Sequence, residues 1–152
     1  MQVVIPLFPR FTALDGIGPY EVLQRIPSID VTFIGHERGE VRSENGLLGI
    51  TVDGTFEDFP HPDVIVFPGG VGTRPLQHDE RVLAWLRTAH ETTAFTTSVC
   101  TGSIVLGATT KSDGTGSALF EIRLDLLKSH AQTKQAESDA SGIKFEAHIA
   151  HE

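Results

Sequence analysis

The sequence has little cysteine, a deficit of positive charge and no long apolar run. Cys100 is the only cysteine in 152 residues, which excludes an intrachain disulfide and suits a reducing cytoplasm. Lys and Arg number 12 against 20 Asp and Glu, and the net charge of −8 disfavours binding to nucleic acid. The apolar runs are far too short to span a membrane, and the residues after Met1 do not have the pattern of a signal peptide. We therefore expect a cytoplasmic protein that binds neither nucleic acid nor membrane.

What is present is the composition of a globular protein. Hydrophobic residues make up 39% of the chain and charged residues 21%. A chain of this length can bury a substantial core, so we expect a single domain over residues 1–152.

Short apolar runs alternate with helical patterns along the chain. Strands are predicted at 2–8, 29–35, 62–67 and 93–99, with two shorter strands at 39–53 around an Asn-Gly turn. One helix is predicted to begin near Pro19, with Thr12 as a candidate cap upstream, and others are predicted at 79–91, from 101–108 and at 117–130. A loop at 110–117 and an edge strand at 143–149 complete the prediction. This alternation predicts an α/β fold with a mostly parallel sheet.

Three predicted strands are followed by residues of unusual chemistry. Asp15 comes after the first strand, Gly69 and Gly70 after the strand at 62–67, and Cys100 after the strand at 93–99. Ligands of parallel α/β sheets bind at the carboxyl ends of the strands, so these segments should converge on one site.

Cys100 is predicted to lie on a tight turn from strand to helix. The N–H groups at a helix N-terminus favour a thiolate, and the small residues Gly102 and Ser103 fit a nucleophile elbow. The N–H of Thr101, together with those of the Pro-Gly-Gly segment, could hold negative charge on a substrate. The alternative is a cysteine that only fills space in the core.

Asp15 also has two interpretations. It could exchange protons beside Cys100, or it could cap the early helix next to Gly16. The histidines show no metal-ligand spacing, and residues 102–109 lack the Lys-Ser/Thr of a phosphate loop. We therefore predict neither a metal nor a nucleotide.

The segments FPRFTALDGIGPYEVL, PDVIVFPGGVGTRPL and TTSVCTGSIVLGA resemble the ThiJ/PfpI superfamily, over about residues 2–108. Within it the chain is most similar to the isonitrile hydratase branch. Asp15 lies in an LD-x-x-GP motif, and Thr101 follows the cysteine where protease-like members have histidine. The resemblance implies a flavodoxin-like three-layer sandwich, similar to class I glutamine amidotransferases, with a nucleophile elbow, usually in a homodimer.

The resemblance also implies a site and a reaction. Cys100, Asp15 and Thr101 would be catalytic, and a set of glycines would contact the substrate or its negative charge: Gly69, Gly70 and Gly102. The small-molecule substrate would be an isonitrile, hydrated to a formamide without a cofactor. Either Cys100 attacks the isonitrile carbon, or Asp15 activates water directly while Cys100 stabilises the adduct.

The motifs that carry the resemblance end at Ala108, so we expect residues 109–152 to be divergent or truncated relative to the superfamily. Two other functions therefore stay open. One is a non-catalytic ligand-sensing or dimerisation domain, as in AraC-type regulators. The other is a glyoxalase-like, deglycase-like or redox-sensing protein in which Cys100 oxidises easily.

Overall fold

The structure is a computed structural model that describes residues 1–109. Its strands are β1 (Gln2–Pro6), β2 (Asp30–Gly35), β3 (Gly39–Arg42), β4 (Gly49–Val52), β5 (Gly54–Thr55), β6 (Val64–Phe67) and β7 (Phe95–Ser98). Its helices are α1 (Ala13–Leu23), α2 (Thr73–Leu76), α3 (Glu80–Thr92) and α4 (Gly102–Ala108), with a 3-10 turn at Phe56–Asp58.

Five of the strands form a parallel sheet, to which strands are added on both sides of β1. The strand order is β5-β2-β1-β6-β7, and every pairing of neighbouring strands in this sheet is parallel. The chain moves from β1 through α1 to β2 on one side, and from β6 through α3 to β7 on the other. Because such crossovers are right-handed, α1 and α3 cover opposite faces of the sheet. The order reverses between β1 and β6, which is where ligands bind in folds of this kind.

The central strand explains why the first apolar run has no alternation. Val3, Val4 and Ile5 in β1 are all at most 1% exposed, because β1 lies between β2 and β6 and both of its faces are covered. The predicted α/β fold with a mostly parallel sheet, of the flavodoxin-like kind, is confirmed.

The predicted start of the first helix near Pro19 is wrong. α1 begins at Ala13 with Thr12 as its N-cap, so Gly16 and Pro19 lie inside the helix. Gly16 is buried, and a Cβ at this position would lie 3.3 Å from a methyl carbon of Leu7. Helix propensity is a weak preference, and the close packing of α1 on the segment after β1 outweighs it.

The other elements follow the sequence pattern more closely. β3 and β4 form the predicted antiparallel pair. Asp79, predicted in the first turn of α3, is its N-cap and accepts hydrogen bonds from the N–H groups of Arg81 and Val82. The short elements β5 and α2 were not predicted. The predicted loop at 110–117, helix at 117–130 and strand at 143–149 lie outside the described residues. Within residues 1–109, no helix is long and apolar enough to cross a bilayer.

Candidate active site

Cys100 lies on the turn between β7 and α4, as the sequence predicts. It is exposed, and its φ of 51° is in the left-handed region that residues other than glycine rarely adopt. The hydroxyl of Ser103 donates to the Cys100 carbonyl oxygen at 3.2 Å and closes the turn. A strained backbone that presents a cysteine at the start of a helix is the geometry of a nucleophile elbow.

Gly102 allows this turn to pack against the end of β6. A Cβ at this position would overlap the carbonyl oxygen of Phe67 and lie 2.9 Å from that of Pro68. Its N–H donates to the carbonyl of Val99 at 3.0 Å. Gly102 is buried, so this glycine is required for the close approach of backbone to backbone.

Asp15 is joined to the loop that follows β6. Its side chain is buried, with 9% exposure, and its Oδ2 accepts a hydrogen bond from the N–H of Gly69 at 3.1 Å. The carboxylate that follows β1 is therefore held at the point where the strand order reverses.

Thr101 contacts the same loop through its hydroxyl group. Its hydroxyl accepts from the N–H of Gly70 at 2.9 Å, and it lies 3.3 Å from the Gly70 carbonyl oxygen, to which it can donate. Asp15 and the residue that follows Cys100 thus contact neighbouring glycines of one loop, Gly69 and Gly70.

Gly69 marks the point where these groups meet. The backbone nitrogen of Thr101, its Oγ1 and Oδ2 of Asp15 lie 2.7, 2.8 and 2.8 Å from the position that a Gly69 Cβ would occupy. Any side chain here would displace one of them. The structure therefore brings Asp15 together with Thr101, next in sequence to the exposed Cys100.

The predicted substrate-contacting glycines have their N–H groups engaged. Those of Gly69 and Gly70 donate to Asp15 and Thr101, and that of Gly102 donates within the turn. Their role in substrate binding stays a prediction. Among residues 1–109, the N–H of Thr101 forms no hydrogen bond.

A separate cleft lies beside this site. It has a volume of about 480 Å³ and is bounded by the segment after β1, by residues 36–41 and by α2 and Asp79. None of the predicted site residues lines it. Within the described part of the chain, no cluster of His, Cys, Asp and Glu could hold a metal ion.

Two site-forming residues were missed by sequence reasoning. Arg10 takes a φ of 66° after β1. Glu44, in the turn between β3 and β4, accepts hydrogen bonds from the N–H of Val71 and the hydroxyl of Thr12. The turn was predicted from Asn45-Gly46, but nothing local in the sequence indicates which segments its carboxylate reaches.

The chain is similar in sequence to a known enzyme. The chain is 43% identical to isonitrile hydratase of Pseudomonas putida over 108 residues, which are 71% of this chain and 47% of that enzyme. The chain thus spans about half the length of the curated relative it matches.

Solved structures share the fold. A THiJ/PfpI family protein of Pseudomonas syringae has a TM-score of 0.68 and 28% identity, covering 71% of this chain and 45% of that one. DJ-1beta of Drosophila melanogaster, at 23% identity, has a TM-score of 0.63, covering 71% and 59%. The model of the DJ-1/PfpI family matches residues 1–139. The chain belongs to the DJ-1/PfpI family.

Proposed function

We propose that this chain is an isonitrile hydratase-like lyase, which adds water to the terminal carbon of an isonitrile and gives an N-substituted formamide. The observation that carries the proposal is the joining of Asp15 and Thr101 to one glycine pair beside the exposed Cys100. The 43% identity to an isonitrile hydratase supports the choice of reaction.

In the first step, the Cys100 thiolate attacks the terminal carbon of R–N≡C. A proton from Asp15 is transferred to the same carbon, and the product is the thioimidate R–N=CH–S–Cys100. Asp15 is buried, at 9% exposure, so little bulk water reaches its carboxyl group.

In the second step, water adds to the thioimidate carbon. The Asp15 carboxylate takes a proton from the water and passes it to the nitrogen, which gives R–NH–CH(OH)–S–Cys100. Asp15 then takes the hydroxyl proton as the thiolate is expelled and R–NH–CHO forms, so Asp15 ends with the proton it had at the start. The N–H of Thr101, which forms no hydrogen bond within residues 1–109, is suited to stabilise negative charge on the adduct.

The alternative is that Asp15 activates water directly and Cys100 only stabilises the adduct. The two routes differ in one intermediate, because only the first forms a bond between sulfur and the isonitrile carbon. Wild type quenched with acid during turnover is expected to carry the thioimidate on Cys100 only on the first route, and intact-mass spectrometry can detect it.

The experiment is a formamide assay with an aliphatic isonitrile, followed by chromatography. Wild type should produce formamide, and Cys100→Ala should lower kcat/KM by at least about 10³-fold with the circular dichroism spectrum unchanged. Asp15→Asn is expected to lower it by roughly 10²–10⁴-fold. A wild type that binds isonitriles without producing formamide would favour a ligand-sensing domain instead.

We also propose that two copies of the chain associate. Leu14 at the start of α1 and Leu47 in the β3–β4 turn are 75% and 82% exposed, on segments joined by the contact between Glu44 and Thr12. Exposed apolar side chains of this size on neighbouring segments favour a protein interface. Light scattering should give the mass of a dimer for wild type and of a monomer for Leu14→Glu; a monomeric wild type would refute the association.

A further inference from the structure

The carboxylate of Glu44 connects two segments that are far apart in sequence. Its Oε1 accepts a hydrogen bond from the N–H of Val71 at 2.8 Å and another from the hydroxyl of Thr12 at 3.2 Å. The main chain of Glu44 is fixed as well, because its N–H donates to the carbonyl of Phe11 at 3.0 Å. One oxygen atom thus links the β3–β4 turn, the loop after β6 and the start of α1.

Both linked segments carry site residues. Val71 follows Gly70, whose N–H donates to the hydroxyl of Thr101. Thr12 is the N-cap of α1, and its carbonyl accepts from the N–H of Asp15 at 3.1 Å. The carboxylate therefore binds next to Gly70, which contacts Thr101, and three positions before Asp15 in the sequence.

The use of the Thr12 hydroxyl is informative. An N-cap threonine usually accepts a hydrogen bond from the first turn of its own helix, and this contact stabilises the helix by about 1 kcal/mol. Thr12 makes no such side-chain contact, and its hydroxyl donates to Glu44 instead. The start of α1 is thereby fixed to the neighbouring turn rather than to itself.

We propose that Glu44 is a positioning residue, which sets the spacing between the Gly69–Val71 loop and the start of α1. This inference rests on the proposed function. A shift of either segment would move Asp15 relative to the N–H of Thr101, and misplacement of a catalytic group by about 1 Å lowers rates by up to about 10²-fold. Hydrogen bonds to an ionised carboxylate are roughly twice as strong as neutral ones, which suits this task.

The test compares three variants in the formamide assay. Glu44→Ala removes both contacts and is expected to lower kcat about tenfold, with a smaller change in KM. Glu44→Gln keeps a side-chain oxygen that can accept the same hydrogen bonds, and is expected to stay within about threefold of wild type. Glu40→Ala is the matched control, because Glu40 lies in the same hairpin and its carboxylate pairs with Arg42.

A second readout does not depend on hydratase activity. Amide hydrogen exchange at Val71, followed by NMR, should become faster in Glu44→Ala and stay unchanged in Glu44→Gln and Glu40→Ala. The proposal is overturned if Glu44→Ala keeps wild-type kcat, if Glu44→Gln is as slow as Glu44→Ala, or if Glu40→Ala shows the same loss. A wild type without formamide production would refute the proposed function, while unchanged exchange at Val71 in Glu44→Ala would refute the link itself.

Discussion

Two turns at the carboxyl edge of the sheet carry the two described residues other than glycine that have positive φ. Cys100 follows β7 with a φ of 51°, and Arg10 follows β1 with a φ of 66°. The left-handed conformation costs a side chain about 1–2 kcal/mol, so the surrounding structure must compensate at both positions.

The two turns are held in different ways. The Cys100 turn is closed by neighbours in sequence, through the hydroxyl of Ser103 and the N–H of Gly102. The Arg10 turn is closed locally by the N–H of Phe11, which donates to the carbonyl of Phe8 at 3.2 Å, and it is also held from a distance: the Arg10 N–H donates to the carbonyl of Arg42 at 2.9 Å, and the Arg10 carbonyl accepts from the N–H of Gly72 at 3.2 Å. Hydrogen bonds to distant segments thus fix the backbone of Arg10, whereas the hydrogen bonds that close the Cys100 turn come from its neighbours in sequence.

The largest effect is expected from filling the close approach at the Cys100 turn. Gly102→Ala places a Cβ against the carbonyl oxygen of Phe67, which should lower the free energy of unfolding by about 2–3 kcal/mol and activity by about 10²-fold. Gly107→Ala is the matched control in the same helix, because no atom of residues 1–109 lies within 4 Å of a Cβ at that position. It should leave activity unchanged and stabilise by roughly 0.5–1 kcal/mol. Urea unfolding measures both, and equal losses in the two variants would contradict the packing argument.

A smaller effect on stability is expected from replacing the N-cap residues of α3 and α1. Asp79 caps α3 locally, and Asp79→Ala should lower the free energy of unfolding by about 1 kcal/mol near pH 7. Thr12→Ala should lower the free energy of unfolding by a smaller amount, because the Thr12 side chain makes no capping hydrogen bond. A Thr12→Ala variant that lost more stability than Asp79→Ala would show that the long-range contact is the stronger.

The effect of Asp79→Ala should also depend on pH. Burial raises the pKa of Asp79, but hydrogen bonds from His36 and the N–H of Val82 outweigh it, so the net pKa lies below the ordinary 3.8. A lowered folded-state pKa means that the stabilisation is complete above the unfolded-state value and is lost as the pH falls through the folded-state value. Urea unfolding between pH 7 and pH 3 should therefore show the difference between wild type and Asp79→Ala shrinking at the acid end.

The smallest effect concerns the backbone strain itself. Glycine adopts positive φ without strain but loses more conformational entropy on folding, so Arg10→Gly and Cys100→Gly should each change the free energy of unfolding by only about 0–1 kcal/mol, toward stability. Their activities should differ sharply. Arg10→Gly is expected to keep hydratase activity within about threefold, because the Arg10 backbone makes the hydrogen bonds of the turn, whereas Cys100→Gly removes the nucleophile. Equal losses of activity would mean that the Arg10 side chain takes part in the reaction.

The same division applies to what sequence reasoning could predict. The apolar run of β1 and the cap and apolar spacing of α3 are local patterns, and both elements formed where they were predicted. The start of α1 was predicted too late, since glycine and proline suggested a break that packing on Leu7 overrides. Cys100 and Asp15 could be identified from the strands they follow. The long-range contacts around the site could not be predicted, because Glu44 contacts Val71 and Gly72 contacts Arg10 across large separations in sequence.

The sequence by itself determined the alternation of strands and helices, and with it the edge of the sheet at which Cys100, Asp15 and the glycine pair lie. These features depend on residues within a few positions of one another, whose periodicity and turn chemistry act locally. The tertiary structure decided the hydrogen bonds that join Asp15 to Gly69 and Thr101 to Gly70, and the contact of Glu44 with both segments. Those depend on the order of the strands, which brings distant residues within hydrogen-bond distance only when the sheet has formed.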